Sequence, residues 1–309
     1  MEASALAQHY SQRIEWNHLD LTVIRRTIEK ARTEDMTGYG LRLKPSLTGD
    51  ISSSLIPIIQ SGKAQLIARH PMVICGLPLL PIIFESYRSQ LKFTPNCNDG
   101  DLLEADAVIG TIEGSSQQIL QTERVLLNFL QKLSGIASLT RDYVAVLGDS
   151  PTRLLDTRKT TPSLRALEKY SVARGGGWNH RFGLFDRIMI KDNHLAAAKA
   201  KGGVELKNFI HQAVKRFPQV PIEVEVDRLD QIEPAIQGGA HIILLDNFSR
   251  SELLEGINIV SGRAATEASG GINKESLPNL AQIGLDFIST GATIHQSTWV
   301  DIGLDWLET

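Results

Sequence analysis

The strongest constraint on this chain is a rhythm in its second half. Short apolar runs at Leu154-Leu155, Ile188 to Ile190, Ile222 to Val226, Ile242 to Leu245, Ala264 to Ala268 and Phe287-Ile288 are each followed by polar residues and then by a helical stretch. From the third run onward they recur about every twenty residues, the length of one strand, turn and helix. That repeat predicts an α/β fold with a parallel barrel or barrel-like sheet.

The first third has a different texture. Leu21, Ile24 and Ile28 recur at helical spacing, while Lys63 to Ala68 and Ala107 to Ile112 read as strands, so a separate α+β region is expected there. Thr37 to Asp50, rich in Gly, Pro, Ser and Thr, reads as a loop. Leu120, Leu127, Leu130, Leu133, Ile136 and Leu139 keep near-helical spacing, expected as two helices broken around Ser134-Gly135. A chain of 309 residues with 42% hydrophobic and 22% charged content has enough apolar material for one large core or two moderate ones.

Bulk properties narrow the function classes. No apolar run reaches a bilayer span and the N-terminus lacks a signal-type apolar core, so a soluble, uncleaved, cytoplasmic protein is expected. Cys75 and Cys97 form no CxxC pattern, which gives a disulfide framework or thiolate metal site little support. A net charge of −3 argues against nucleic acid or an anionic membrane as partner. Against that acidic balance, the stretch from Asp156 to His194 holds eight Lys/Arg and four acids.

Parallel strands end on one face, so a barrel gathers whatever lies at or just beyond the end of each run. Here those residues are Arg158 and Lys159, Lys191 and Asp192, Glu225, Asp246, Ser269 to Gly271, and Thr290-Gly291. The early strands contribute cations, the middle ones carboxylates and the late ones glycines, as one ligand with several different ends would require. Glycine loops between strand and helix suit phosphate, though they also serve simply to turn the chain. Glu225 and Asp246 suit ribose hydroxyls and Mg²⁺, acid-base work or pairing with lysines. Since helices cover the outer face of such a sheet, Glu225 is expected to face inward. Arg158, Lys159, His180, Arg181 and Lys191 form the most specific feature, because guanidinium forks match carboxylates. Thr161 and Pro162 read as N-cap and first residue of the following helix. A metal site from His180, His194 and Asp192 matches no standard spacing.

The segments DTRKTTPSLRALEKY, GGGWNHRFGLFDRIMIKDNH, EVEVDRLDQ, LLDNF, EASGGIN and STGATIH, in this order, resemble the signature series of the quinolinate phosphoribosyltransferases. GDISSSLIP and TERVLLNFLQKLSGIASLTR extend the resemblance over most of the chain. It implies two domains, an α+β domain over 1–134 and an α/β barrel-like domain over 135–292, with 293–309 returning to the first. It implies that Arg158, Lys159, His180, Arg181 and Lys191 line a dicarboxylate site, that Glu225 and Asp246 meet the ribose and its Mg²⁺, directly or through water, and that Ser269, Gly270 and Gly291 cradle a 5′-phosphate. Lys159, Lys191, Glu225 and Asp246 form the expected catalytic set. Arg124, from the residues alone only a charge on a helix, is implied to reach into a partner subunit's site. A homodimer, or a hexamer of dimers, with shared sites follows.

The activity implied is phosphoribosyl transfer from phosphoribosyl pyrophosphate to quinolinate with loss of CO₂, giving nicotinate mononucleotide for NAD synthesis. Rivals are a paralogue of the same fold from molybdenum-uptake loci, a Schiff-base aldolase using Lys191, and a non-catalytic anion binder. Three features depart from the usual pattern. Thr37 to Gly49 reads as an insertion, Ser163 stands where glycine is expected, and Trp178 is bulky beside His180-Arg181.

Overall fold

Polar residues set where the first elements begin. Asp20 accepts from the Thr22 amide at 2.8 Å and caps the helix Leu21–Thr37, which buries Ile24 and Ile28 and ends at Gly38 with φ +67°. The computed structural model describes residues 4–42 and 45–308; part of the expected 37–49 insertion, residues 43–44, lies outside them. The chain forms two compact units. One takes Ile14–Leu139, Pro162–Gly176 and the C-terminal residues from Ser297, and the other takes the N-terminal residues to Arg13, Thr140–Thr161 and Gly177–Gln296.

In the first unit, β1 (Ser61–Ala68) pairs antiparallel with the C-terminal strand Ile302–Trp306. A small pair, β2 (Met72–Val73) and β4 (Leu102–Leu103), stands apart, while β3 (Lys92–Pro95) and β1 both flank β5 (Val108–Ser115). The returning segment thus begins at Ser297 rather than 293. The helix expected to break at Ser134-Gly135 runs unbroken from Ser116 to Leu147. Those two residues serve packing instead. Ser134 Oγ accepts from the Cys75 amide at 2.9 Å, and a Cβ on Gly135 would lie 2.1 Å from the Thr298 carbonyl oxygen.

The following helix starts at Arg165 with Leu164 as its N-cap, three residues later than expected from Thr161-Pro162. Ser163 explains the delay: its φ of +69° cannot continue a right-handed helix, and this is the conformation that glycine, expected there, adopts at least cost.

The second unit holds six parallel strands: β6 (Arg153–Leu155), β7 (Ile188–Ile190), β8 (Ile222–Val226), β9 (Ile242–Asp246), β10 (Ala265–Ser269) and β11 (Phe287–Ser289). Their order is β6-β11-β10-β9-β8-β7. On the outer face Leu245 packs against Gly256 of the helix Arg250–Val260. Inside, Leu155, Ile242, Ala265 and Phe287 form an apolar cluster with Ala7.

That cluster corrects the expected domain order, because the helix Ala5–Tyr10 belongs with the barrel and not with the α+β unit. Arg153 Nη1 fixes it by donating to the Ala7 carbonyl at 2.9 Å. Trp178 lies against the same cluster, with the Arg153 and Arg13 guanidinia 3.7 and 4.2 Å from its ring centre. Its bulk therefore serves the core. Among the described residues no helix is long and apolar enough to cross a membrane.

Candidate active site

The ends of these strands border a cavity of about 1010 Å³ within the barrel unit. Arg158, Lys159, His180, Arg181 and Lys191 line it, with Glu225, Asp246, Ser269, Gly270 and Gly291. Arg124 does not. It is exposed on the helix Ser116–Leu147 and lines another cavity, of about 400 Å³, in the α+β unit beside Glu34, Asp35 and Trp299.

Each wall is placed by local geometry. After β6, the Lys159 amide donates to Thr157 Oγ1 at 3.0 Å, turning Arg158 and Lys159 to the rim. Arg158 Nε is buried without a hydrogen-bond partner. Arg181 is only 7% exposed, and burial followed by the Arg158 charge lowers its pKa, so two guanidinia share one low-dielectric wall. Like charges so placed favour an anionic ligand.

At the middle strands, Lys191 pairs with Glu225. Burial raises the Glu225 pKa against the pull of Lys191, and the nearby Asp246 charge adds to the rise. The Asp246 pKa is likewise raised by burial. Two hard-oxygen ligands that resist carrying adjacent charges suit a divalent cation of the Mg²⁺ kind. On the late strands, Gly270 takes φ +97°, and a Cβ there would lie 2.2 Å from Asn247 Oδ1. At Gly291 a Cβ would approach Lys159 Cδ to 2.8 Å. Both glycines let the backbone come close to the cavity.

Beneath the rim lies a charged layer that the strand-end reading missed. Asp156, fully buried, accepts from Asn179 Nδ2 and from the His180 amide, each at 2.8 Å. His180 Nε2 lies 3.1 Å from Glu223 and 3.5 Å from Glu267, while Arg187 Nη1 reaches Glu223 at 3.0 Å. Burial opposes charge on both His180 and Glu223. Their mutual attraction prevails, raising the His180 pKa and, with Arg187, lowering that of Glu223. The three side chains His180, Glu223 and Glu267 could hold a metal ion by spacing, but Arg187 already supplies the positive charge at Glu223. One signal was available in the sequence: Glu223 and Glu267 are acids placed within short strands of a repeating α/β pattern.

The family models for the quinolinate phosphoribosyl transferase N-terminal and C-terminal domains match residues 50–134 and 136–305. A probable carboxylating nicotinate-nucleotide pyrophosphorylase of Bacillus subtilis strain 168 is 40% identical over 263 residues, covering 84% of this chain and 88% of the relative. A protein of the same name from Synechocystis is 37% identical, over 83% of this chain and 86% of its own. Among solved structures, a nicotinate-nucleotide pyrophosphorylase from Francisella tularensis superposes with a TM-score of 0.86 at 34% identity, covering 94% of this chain and 98% of that one. With both halves of the chain matched in sequence and the same fold in solved relatives, this chain belongs to the quinolinate phosphoribosyltransferase family.

Proposed function

We propose that the chain joins quinolinate to phosphoribosyl pyrophosphate and releases pyrophosphate and CO₂, forming nicotinate mononucleotide for NAD synthesis. The observation that carries this reading is the pair of guanidinia, Arg158 and Arg181, on the wall of a cavity that also holds Glu225 and Asp246. A pyridine dicarboxylate offers two negative groups to that wall and leaves its ring nitrogen free to meet the ribose.

In the reaction the ring nitrogen bonds to the anomeric carbon as the bond to pyrophosphate breaks, through a transition state with positive charge on the ribose. Glu225 and Asp246 are placed to stabilise that charge. The resulting pyridinium accepts the electron pair left when the 2-carboxylate departs as CO₂, and a proton from water then occupies that carbon. Arg158, Arg181, Lys159 and Lys191 bind and orient the carboxylates and pyrophosphate. Ser269, Gly270 and Gly291 border the place for the 5′-phosphate. Mg²⁺, held by Glu225 and Asp246 directly or through water, would neutralise charge on the leaving pyrophosphate.

A Schiff-base role for Lys191 is disfavoured, because its ammonium is paired with Glu225 rather than set in an apolar pocket. We infer a dimer or higher assembly in which Arg124 reaches a partner's cavity; its exposure, and a cavity lining in its own chain that does not include it, support this. A cytoplasmic setting is consistent with the two free cysteines. The test is incubation with quinolinate, phosphoribosyl pyrophosphate and Mg²⁺. Nicotinate mononucleotide and CO₂ in equal amounts are expected, and retention of either substrate without turnover would leave a binding protein only.

A further inference from the structure

Glu267 is fully buried, and neither of its carboxylate oxygens has a hydrogen-bond partner among the described residues. A buried carboxylate without a donor is costly, so its retention calls for a group that can donate to it. The donor facing it is His180 Nε2, 3.5 Å from Glu267 Oε1. Glu223, also fully buried, reaches the same nitrogen at 3.1 Å. On the other side of the ring, Nδ1 accepts from the Arg181 amide at 2.8 Å. An amide N–H only donates, so Nδ1 acts as acceptor and the ring proton belongs on Nε2, between the two carboxylates; those carboxylates favour a second ring proton, and the Arg181 amide opposes it at Nδ1. Both ring nitrogens are thereby engaged within the protein, and His180 is only 5% exposed. The side chain that follows it faces the cavity, with Arg181 Nη1 anchored to the Arg187 carbonyl oxygen at 3.2 Å.

We propose that Glu223 and Glu267 are positioning residues for the substrate's dicarboxylate end: they lock His180 as a strut, with neither ring nitrogen offered to the cavity, and the strut fixes where Arg181 presents its guanidinium. This rests on the transferase reading of the site and adds to it a division of labour. Arg181 binds the carboxylate, and His180 acts through Arg181.

Two measurements test it. In ligand-free protein labelled with ¹⁵N-histidine at pH 7.5, the ring signal that vanishes in His180→Gln should show a protonated Nε2 whose proton exchanges slowly, and an unprotonated Nδ1. A tautomerically averaged ring, or a ring protonated on both nitrogens, overturns the strut. So does an unprotonated Nε2 accompanied by stoichiometric metal in the protein, which would make the three side chains a metal site. In kinetics, Glu267→Gln keeps the volume and removes the charge. The KM for quinolinate should rise about tenfold, as Arg181 loses its fixed placement. The KM for phosphoribosyl pyrophosphate and kcat should stay within about twofold, and Glu267→Asp should recover part of the loss. Unchanged kinetics, or both KM values and kcat worsening together with the melting temperature, contradicts a positioning role. Should the wild-type chain fail to turn over quinolinate, the transferase reading falls while the ring's ¹⁵N signature still decides the strut.

Discussion

The two units place their charges in opposite ways. In the antiparallel unit, cross-strand pairs such as Lys63–Glu113, at 2.5 Å, and Arg69–Asp305 lie on an exposed face, where water already satisfies both partners. In the parallel unit the side chains of Glu223, Glu267, Arg187 and His180 lie inside. The difference follows from sheet type. A parallel sheet sheathed by helices has no wet outer face, so polar side chains on its strands point inward, where desolvation makes each one costly unless it has a partner or a ligand. An exposed pair in the first unit therefore carries little information, and an unrelieved interior charge in the second carries much.

The sharpest way to break this contrast is Arg158→Ala. If its guanidinium is held for a ligand, kcat/KM should fall on the order of 100-fold to 1000-fold, as for loss of a transition-state or binding charge. The melting temperature should not fall, because the like charge beside Arg181 is removed. A loss of stability parallel to the loss of activity would show Arg158 to be structural. The next largest effect concerns Arg124, whose replacement by Ala should abolish most activity without unfolding the protein. Mixed with Lys159→Ala subunits, each parent being inactive, the hybrid dimer should regain part of the activity because one of its cavities has both side chains intact. Hybrids that form and remain inactive refute the shared site.

Much of the barrel and its rim was legible because strand ends report themselves locally: a polar residue at or just beyond the end of an apolar run needs no knowledge of the rest of the chain. Arg158, Lys191, Glu225 and Asp246 all follow that pattern and all border the cavity. What escaped depends on distant partners. The roles of Ser134 and Gly135 inside an unbroken helix involve Cys75 and Thr298, far away in the chain, and Glu267 acquires its meaning only from His180. The N-terminal helix joined the barrel through the Arg153 bond to its Ala7 carbonyl, which no local pattern signals. Ser163 is an intermediate case, since a departure at an expected glycine pointed to a backbone constraint that φ +69° confirms.

That position sharpens the comparison with a backbone effect independent of charge. Ser163→Gly should stabilise the protein by about 0.5–1 kcal/mol in chemical denaturation, through relief of left-handed strain. No gain would mean that the side chain compensates for its backbone. The smallest effect is expected at the exposed pair. The Lys63 hydrogen bond lowers the Glu113 pKa below 4.5, so its stabilising contribution is present above that pH and is lost as pH falls through the lowered value. Glu113→Gln should leave the neutral-pH melting temperature almost unchanged and slightly flatten the decline below pH 4.5. A larger shift than that of Ser163→Gly would undo the contrast between outer and inner charges.

The central claim is that the cavity's cations are matched to two carboxylates, and the ratio of kcat/KM for quinolinate to that for nicotinate tests it most directly. Nicotinate lacks the 2-carboxylate and would leave a buried cation unpaired, a penalty of several kcal/mol. Quinolinate should be preferred by at least about 1000-fold, with CO₂ released once per turnover. Comparable turnover of the two acids would contradict the account.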